Sequence, residues 1–190
     1  MSRREDRYAS ILGLARVVPV KQIYTSRFVL TPLTADSVTP RYSSWFEEHD
    51  VSKFIEAAKT DHGMDSLRKY VKEREGRDDV LFLAIFTRNG HKHIGNIKYE
   101  PVDLVNGYAV VGMFIGEREW RGKGVAAEVI RHSSAWLQQT WGIREILLGV
   151  AKDNHAAISA YEKAGFKREQ TERIVIDPES SISMVLHLDA

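Results

Sequence analysis

Two stretches of the chain are apolar at nearly every position. Tyr108-Ala-Val-Val-Gly-Met-Phe-Ile115 and Ile146-Leu-Leu-Gly-Val150 have strand length without the polar alternation of a half-solvated strand, so both are predicted to be buried on both faces. Between them Val125, Ala126, Val129, Ile130, Ser133, Trp136, Leu137 and Thr140 recur at helical spacing, which places Glu128, Arg131 and Gln138 on the wet face. Gly142 is the expected stop. Strand, helix, strand predicts a parallel pair joined by a right-handed crossover, with the connecting loop at the carboxyl edge where ligands gather. Gly112, inside the first run, signals either a bulge or a close approach.

The flanking pattern predicts an antiparallel surround. Arg27 to Leu33 alternates as a first strand, and Thr34 or Asp36 can cap a helix carrying Tyr42, Trp45 and Phe46. Asp65 caps a second helix with Leu67, Tyr70 and Val71 inward. Leu81–Phe86 and His93–Tyr99 flank Asn89-Gly90, a hairpin signal that predicts positive φ at both turn residues. Phe166–Ile176 and Ser181–Leu188, separated by Asp177-Pro178, close the sheet as a last antiparallel pair. The expected class is α/β, one domain over residues 22–190, with residues 1–21 as an N-terminal extension that is either a helix packed on a partner or a frayed arm.

Composition narrows the functions open to such a chain. Its 190 residues are 43% hydrophobic, enough for one core and too few for two full domains. A net charge of +1 gives no basic patch on which a nucleic acid would depend. No run reaches the length of a membrane span, and the start lacks a signal-like apolar core, so cytoplasmic residence is the default expectation. The absence of cysteine removes disulfides, thiolate metal sites and a cysteinyl acyl-enzyme. His91 and His93 could share a strand face, yet two histidines without a third ligand make a poor metal site, and none is expected.

The loop before the helix carries the chemistry. Arg121-Gly122-Lys123-Gly124-Val125-Ala126 follows a strand and opens a helix, so backbone amides unhindered by Cβ atoms meet the positive end of the helix dipole, an arrangement suited to a pyrophosphate. Gly122-x-Gly124-x-x-Ala127 also fits a dinucleotide fingerprint with Glu145 downstream. There, however, the glycines leave the strand directly and the acid ends the next strand, whereas Glu117–Trp120 intervenes here and Glu145 begins its strand.

Arg121-x-x-Gly124-x-Ala126, followed by Asn154-His-Ala-Ala-Ile-Ser-Ala-Tyr161-Glu-Lys-Ala-Gly165-Phe166, closely resembles the two acetyl-CoA motifs of GNAT N-acetyltransferases, and the resemblance extends over about Ser26 to His187. Tyr42-Ser-Ser-Trp45-Phe-Glu-Glu-His-Asp-Val51-Ser-Lys-Phe54-Ile55-Glu56 resembles the branch that contains ribosomal-protein and sugar-nucleotide acetyltransferases. The resemblance implies a mixed, mostly antiparallel sheet whose central parallel strands splay apart. It further implies acetyl-CoA as cosubstrate: phosphates on Arg121, Gly122, Lys123, Gly124, Val125 and Ala126, pantetheine along the backbone of Met113, Phe114 and Ile115, and Asn154 on the pantetheine arm. Asn154 can equally cap the helix it precedes. Trp45, Phe46 and Phe54 could stack on a base or sugar, or be ordinary core.

For transfer, an amine must attack the thioester and the sulfur must regain a proton. Tyr161, a phenol protonated at neutral pH, is the candidate acid; the other reading is an aromatic packed at helical spacing. The base is left open among Glu100, Glu117 and water. The expected acceptor is a small-molecule or peptide amine, an amino-sugar nucleotide first and a protein N-terminus or small amine second; a CoA-binding sensor without turnover is the other class. The apolar N-terminal segment and the last hairpin's edge strand offer a surface for a homodimer.

Overall fold

The computed structural model describes residues 20–47 and 63–188. The strands are β1 (Ile23–Tyr24), β2 (Phe28–Pro32), β3 (Leu81–Thr87), β4 (His93–Asp103), β5 (Tyr108–Ile115), β6 (Glu145–Ala151), β7 (Lys167–Arg168) and β8 (Ser181–His187), and the helices are α1 (Pro40–Ser44), α2 (Met64–Lys72), α3 (Val125–Trp141) and α4 (His155–Ala164). One eight-stranded sheet results, in the order β1-β2-β3-β4-β5-β6-β8-β7. Among the described strands only β5 and β6 pair in parallel, and every other neighbouring pair is antiparallel. The central pair, its helix and the Gly142 stop stand where periodicity predicts them, Gly142 taking φ of +69°.

The two faces of the sheet carry separate cores. On one, Leu30, Leu83, Ile85, Ile97, Ile146 and Leu148 meet α3 and α4 through Val129, Ile130, Leu137 and Ile158. On the other, Ala84 meets Tyr42, Trp45, Phe46, Leu67 and Val71. Each fully buried aliphatic side chain stabilises this arrangement by about 1.5–3 kcal/mol. Trp45 and Phe46 are therefore core, 1% and 2% exposed; Phe54 lies outside the described residues, as do residues 1–19 of the N-terminal extension.

Several elements differ from their sequence pattern. Thr34 caps only the 3-10 turn Ala35–Ser37. The helix holding Tyr42 starts instead at Thr39, whose side chain accepts from the Tyr42 amide, with Pro40 in the first turn where its missing N–H costs nothing. Trp45 and Phe46 then fall in a separate 3-10 turn, Trp45–Glu47. Gly63, not Asp65, occupies the N-cap of α2. In the β3–β4 turn the positive φ values belong to Gly90 and His91, because the Thr87 hydroxyl donates to the Asn89 carbonyl and accepts from the Lys92 amide, closing a longer loop than Asn89-Gly90 alone needs. The strand expected over Phe166–Ile176 contracts to β7. Beyond it the chain crosses the sheet, and Ile176 packs where a Cβ on Gly149 would be, at 2.8 Å. β8 lies between β6 and β7, so of the last hairpin's two strands β7 is the one at the sheet edge.

Gly112 is neither bulge nor close approach: a Cβ there would meet nothing within 4 Å, and the register shift nearby lies on β4 between Tyr99 and Val102. The tightest approach at a glycine among the described residues is at Gly116. An added Cβ would stand 2.0 Å from Trp45 Cδ2 and 2.4 Å from its Cε2 and Cε3, against an indole that cannot retreat from its core. Gly116→Ala is expected to destabilise the fold by about 3 kcal/mol, read from urea unfolding, and a wild-type midpoint would show that the indole can move.

Candidate functional site

The β5–β6 pairing lasts for three residue pairs, Tyr108–Glu145, Ala109–Ile146 and Val110–Leu147. Each strand then continues with its other neighbour, β5 with β4 as far as Ile115–Gly95 and β6 with β8 as far as Ala151–Ser181. The strands thus separate, leaving a notch along which Met113, Phe114 and Ile115 have no main-chain partner on the β6 side among the described residues. Met113 and Ile115 pack against the α3 face and Phe114 against the α1–α2 face.

At the head of the notch the loop Arg121–Gly124 turns into α3. Gly122 and Gly124 both take φ of +72°, a left-handed conformation that favours glycine. A Cβ on Gly122 would meet nothing within 4 Å, and one on Gly124 would meet only Arg27 Nη2 at 3.8 Å. Among the described residues no side chain caps the first-turn amides of α3, so they face an open space at the helix's positive end. Val125 is buried and Ala126 half-buried, which leaves their main chain as what they can present. Lys123 is exposed, its ammonium 5.8 Å from the Trp120 ring centre. The Arg121 guanidinium turns back instead, Nε donating to the Ile115 carbonyl and Nη2 to the Gly116 carbonyl, each at 2.8 Å. It fastens the loop to the end of β5.

Asn154 caps α4, its Oδ1 accepting from the Ala157 amide at 3.1 Å, which leaves its NH₂ group to donate elsewhere. Tyr161 lies on α4 with its ring against Phe166, the centroids 5.7 Å apart, and it packs on the same core face as Met113, Ile115 and Ala126. Its hydroxyl has no hydrogen-bond partner among the described residues. Desolvation raises its pKa to about 12, so the phenol holds its proton throughout the physiological range.

A family profile described as acetyltransferase (GNAT) domain matches residues 27–167. The chain belongs to the GNAT acetyltransferases. The uncharacterised N-acetyltransferase YobR of Bacillus subtilis is 37% identical over 65 residues, which are 34% of this chain and 26% of that protein; the match spans about a quarter of that relative's length. The N-acetyltransferase 9-like protein of Caenorhabditis briggsae is 23% identical over 158 residues, 77% of this chain and 78% of its own. Among solved structures, the microcin C7 self-immunity acetyltransferase MccE, in complex with acetyl-CoA and AMP, superposes with a TM-score of 0.75 over 90% of this chain and 98% of that one. At 13% identity the likeness is one of fold. Acetyl-CoA is the cosubstrate of this GNAT family.

In this GNAT chain both carboxylates considered as bases are already engaged. Burial works to raise the Glu100 pKa, but Lys98 and Arg74 beside it hold it below the usual carboxylate value. Glu117, 3% exposed, accepts from Arg41 Nε at 2.6 Å and Trp45 Nε1 at 3.1 Å, with Lys92 Nζ at 2.9 Å. The Arg41 bond is the main reason its pKa falls to about 2, which makes it a poor proton acceptor. Its ionised form is the one the fold prefers, so its contribution is present above the ordinary value of 4.5 and is lost as pH falls through about 2. Glu117→Gln is therefore expected to remove about 2–3 kcal/mol from the stability lost between about pH 5 and pH 2. Urea unfolding at the two pH values checks this, and equal losses in both chains would exclude Glu117 from the acid response.

One group at the loop was not foreseen. Arg27, from the β1–β2 turn, donates through Nε to Glu128 Oε2 at 2.7 Å and through Nη1 to the Lys123 carbonyl at 3.0 Å, while Glu128 Oε1 accepts from the Thr25 hydroxyl at 2.6 Å and the Arg27 amide at 2.8 Å. Glu128, expected on the wet face, thus pins the first turn of α3 to the β1–β2 turn; burial opposes its ionisation, yet Thr25 and Arg27 hold its pKa low. Helical periodicity sees only that a polar residue lies off the core and cannot say what meets it. Among the described residues no three histidine, acidic or cysteine side chains gather as a metal site, and no helix is long and apolar enough to cross a membrane.

Proposed function

We propose that this GNAT protein moves an acetyl group from acetyl-CoA to a primary amine in a ternary complex, with the diphosphate on the Gly122–Gly124 loop. The observation that carries the reading is the uncapped start of α3 opening onto two left-handed glycines at the head of the notch. The backbone of Met113, Phe114 and Ile115 pairs with the pantetheine amides as an added strand, Asn154 offers its NH₂, and Arg121 and Lys123 contribute positive charge around the phosphates. The amine nitrogen forms the new bond to the carbonyl carbon as the carbon–sulfur bond breaks; the sulfur takes the Tyr161 proton and water takes the amine proton. The desolvation that holds the phenol protonated also makes a sulfur anion expelled beside it more basic, which favours that transfer. The acceptor is an amino-sugar nucleotide, ahead of a protein N-terminus or other small amine, and the protein works in the cytoplasm.

Thiol release from acetyl-CoA across a panel of amines tests this. Amine-dependent release with intersecting initial-rate lines is the expected result. Parallel lines would replace direct transfer with an acyl-enzyme, and saturable CoA binding with no release from any amine would make the domain a sensor.

A further inference from the structure

Phe82, Lys98 and Gly112 are cross-strand partners on β3, β4 and β5, so they share the α2 face of the sheet. Gly112 stands two residues past the last parallel pair, at Val110, and is exposed with open space where a side chain would be. On the reading above, on which this inference rests, a pantetheine arm descending from Ile115 to Met113 delivers its acyl end to this row, next to Lys98.

Lys98 is part of a charge cluster that acetyl transfer does not use. Its Nζ donates to the Tyr70 hydroxyl and to Glu100 Oε2, both at 2.6 Å, and its third hydrogen has no partner among the described residues. Arg74 lies 3.6 Å from the centre of the Tyr70 ring and donates to Glu100 at 2.8 Å, and Arg77 reaches the same carboxylate at 3.1 Å. Glu100 thus serves three cations, while the cluster's other carboxylate, Asp79, is held by Arg77 at 2.7 Å. Three positive charges against two negative leave an excess of one. Lys98 and Arg74 are only 23% and 18% exposed, where solvent screens that charge poorly. A protonated polyamine chain is repelled at such a place, and an anion is attracted.

We propose that Lys98, backed by Arg74, is the subsite for an anionic group of the acceptor, so that the substrate is a small amine that also bears a phosphate or carboxylate. Calorimetry on the CoA-saturated protein tests this with inorganic pyrophosphate, succinate and spermidine, because the phosphate loop is then filled. Saturable binding of at least one anion is expected, weakened about tenfold or more by Lys98→Met, largely kept by Lys98→Arg, with CoA affinity within about twofold in both variants. Pyrophosphate alone would identify a phosphate-bearing acceptor and succinate alone a carboxylate-bearing one. No anion binding, binding unchanged by Lys98→Met, or tighter binding of spermidine would each overturn the proposal. A chain that takes up no CoA would instead overturn the reading of the notch, and the same comparison on the free protein would still decide the cluster.

Discussion

Tyr161→Phe is expected to lower kcat by roughly two to three orders of magnitude while acetyl-CoA binds within about threefold of the wild-type affinity. The substitution removes one oxygen whose hydrogen has no acceptor among the described residues, and it keeps the ring that packs on Phe166, so the fold has little reason to change. The loss should appear in kcat and not in CoA affinity, because the proton is needed only as sulfur departs. Stopped-flow measurement of thiol release, with a urea midpoint to confirm the fold, separates the outcomes: full turnover would return Tyr161 to the packing role its spacing also allows. The pH profile provides a second check. With the phenol pKa near 12, activity should not decline between about pH 8 and pH 10 through ionisation of this group.

Gly124→Glu should weaken CoA binding by about a hundredfold or more. The position has φ of +72°, and its nearest neighbour to an added Cβ is Arg27 Nη2 at 3.8 Å, so the new side chain strains the backbone and extends into the space assigned to the phosphates, bringing a negative charge. Gly124→Ala carries the same strain without charge and should retain part of the affinity. Calorimetric binding of CoA by the glutamate variant at the wild-type level would move the phosphate site elsewhere.

Much of this was legible in the chain because the relevant signals are local. A continuous apolar run, a helical period and a glycine stop are enough to place β5, α3 and β6, and two glycines before a helix announce an amide-lined loop. Other features depended on contacts that no local pattern contains. Thr39 competes with Thr34 for the cap and wins because Pro40 follows it. Glu128 reads as a solvated helix residue until Thr25 and Arg27 arrive from more than a hundred residues earlier. Glu100 and Glu117 read as free carboxylates near a cleft until their cations are seen. Arg121 occupies its expected place in the chain, but its side chain serves the strand end, donating to the Ile115 and Gly116 carbonyls.

The insertion of β8 between β6 and β7 also bears on biosynthesis. The second wall of the notch, β6, is held from outside by β8, a strand made about thirty residues later, which pairs with it from Glu145–His187 to Ala151–Ser181. A nascent chain still lacking β8 has β6 as a bare edge on that side, so deletion of Ser181–His187 should cost the site before it costs α3.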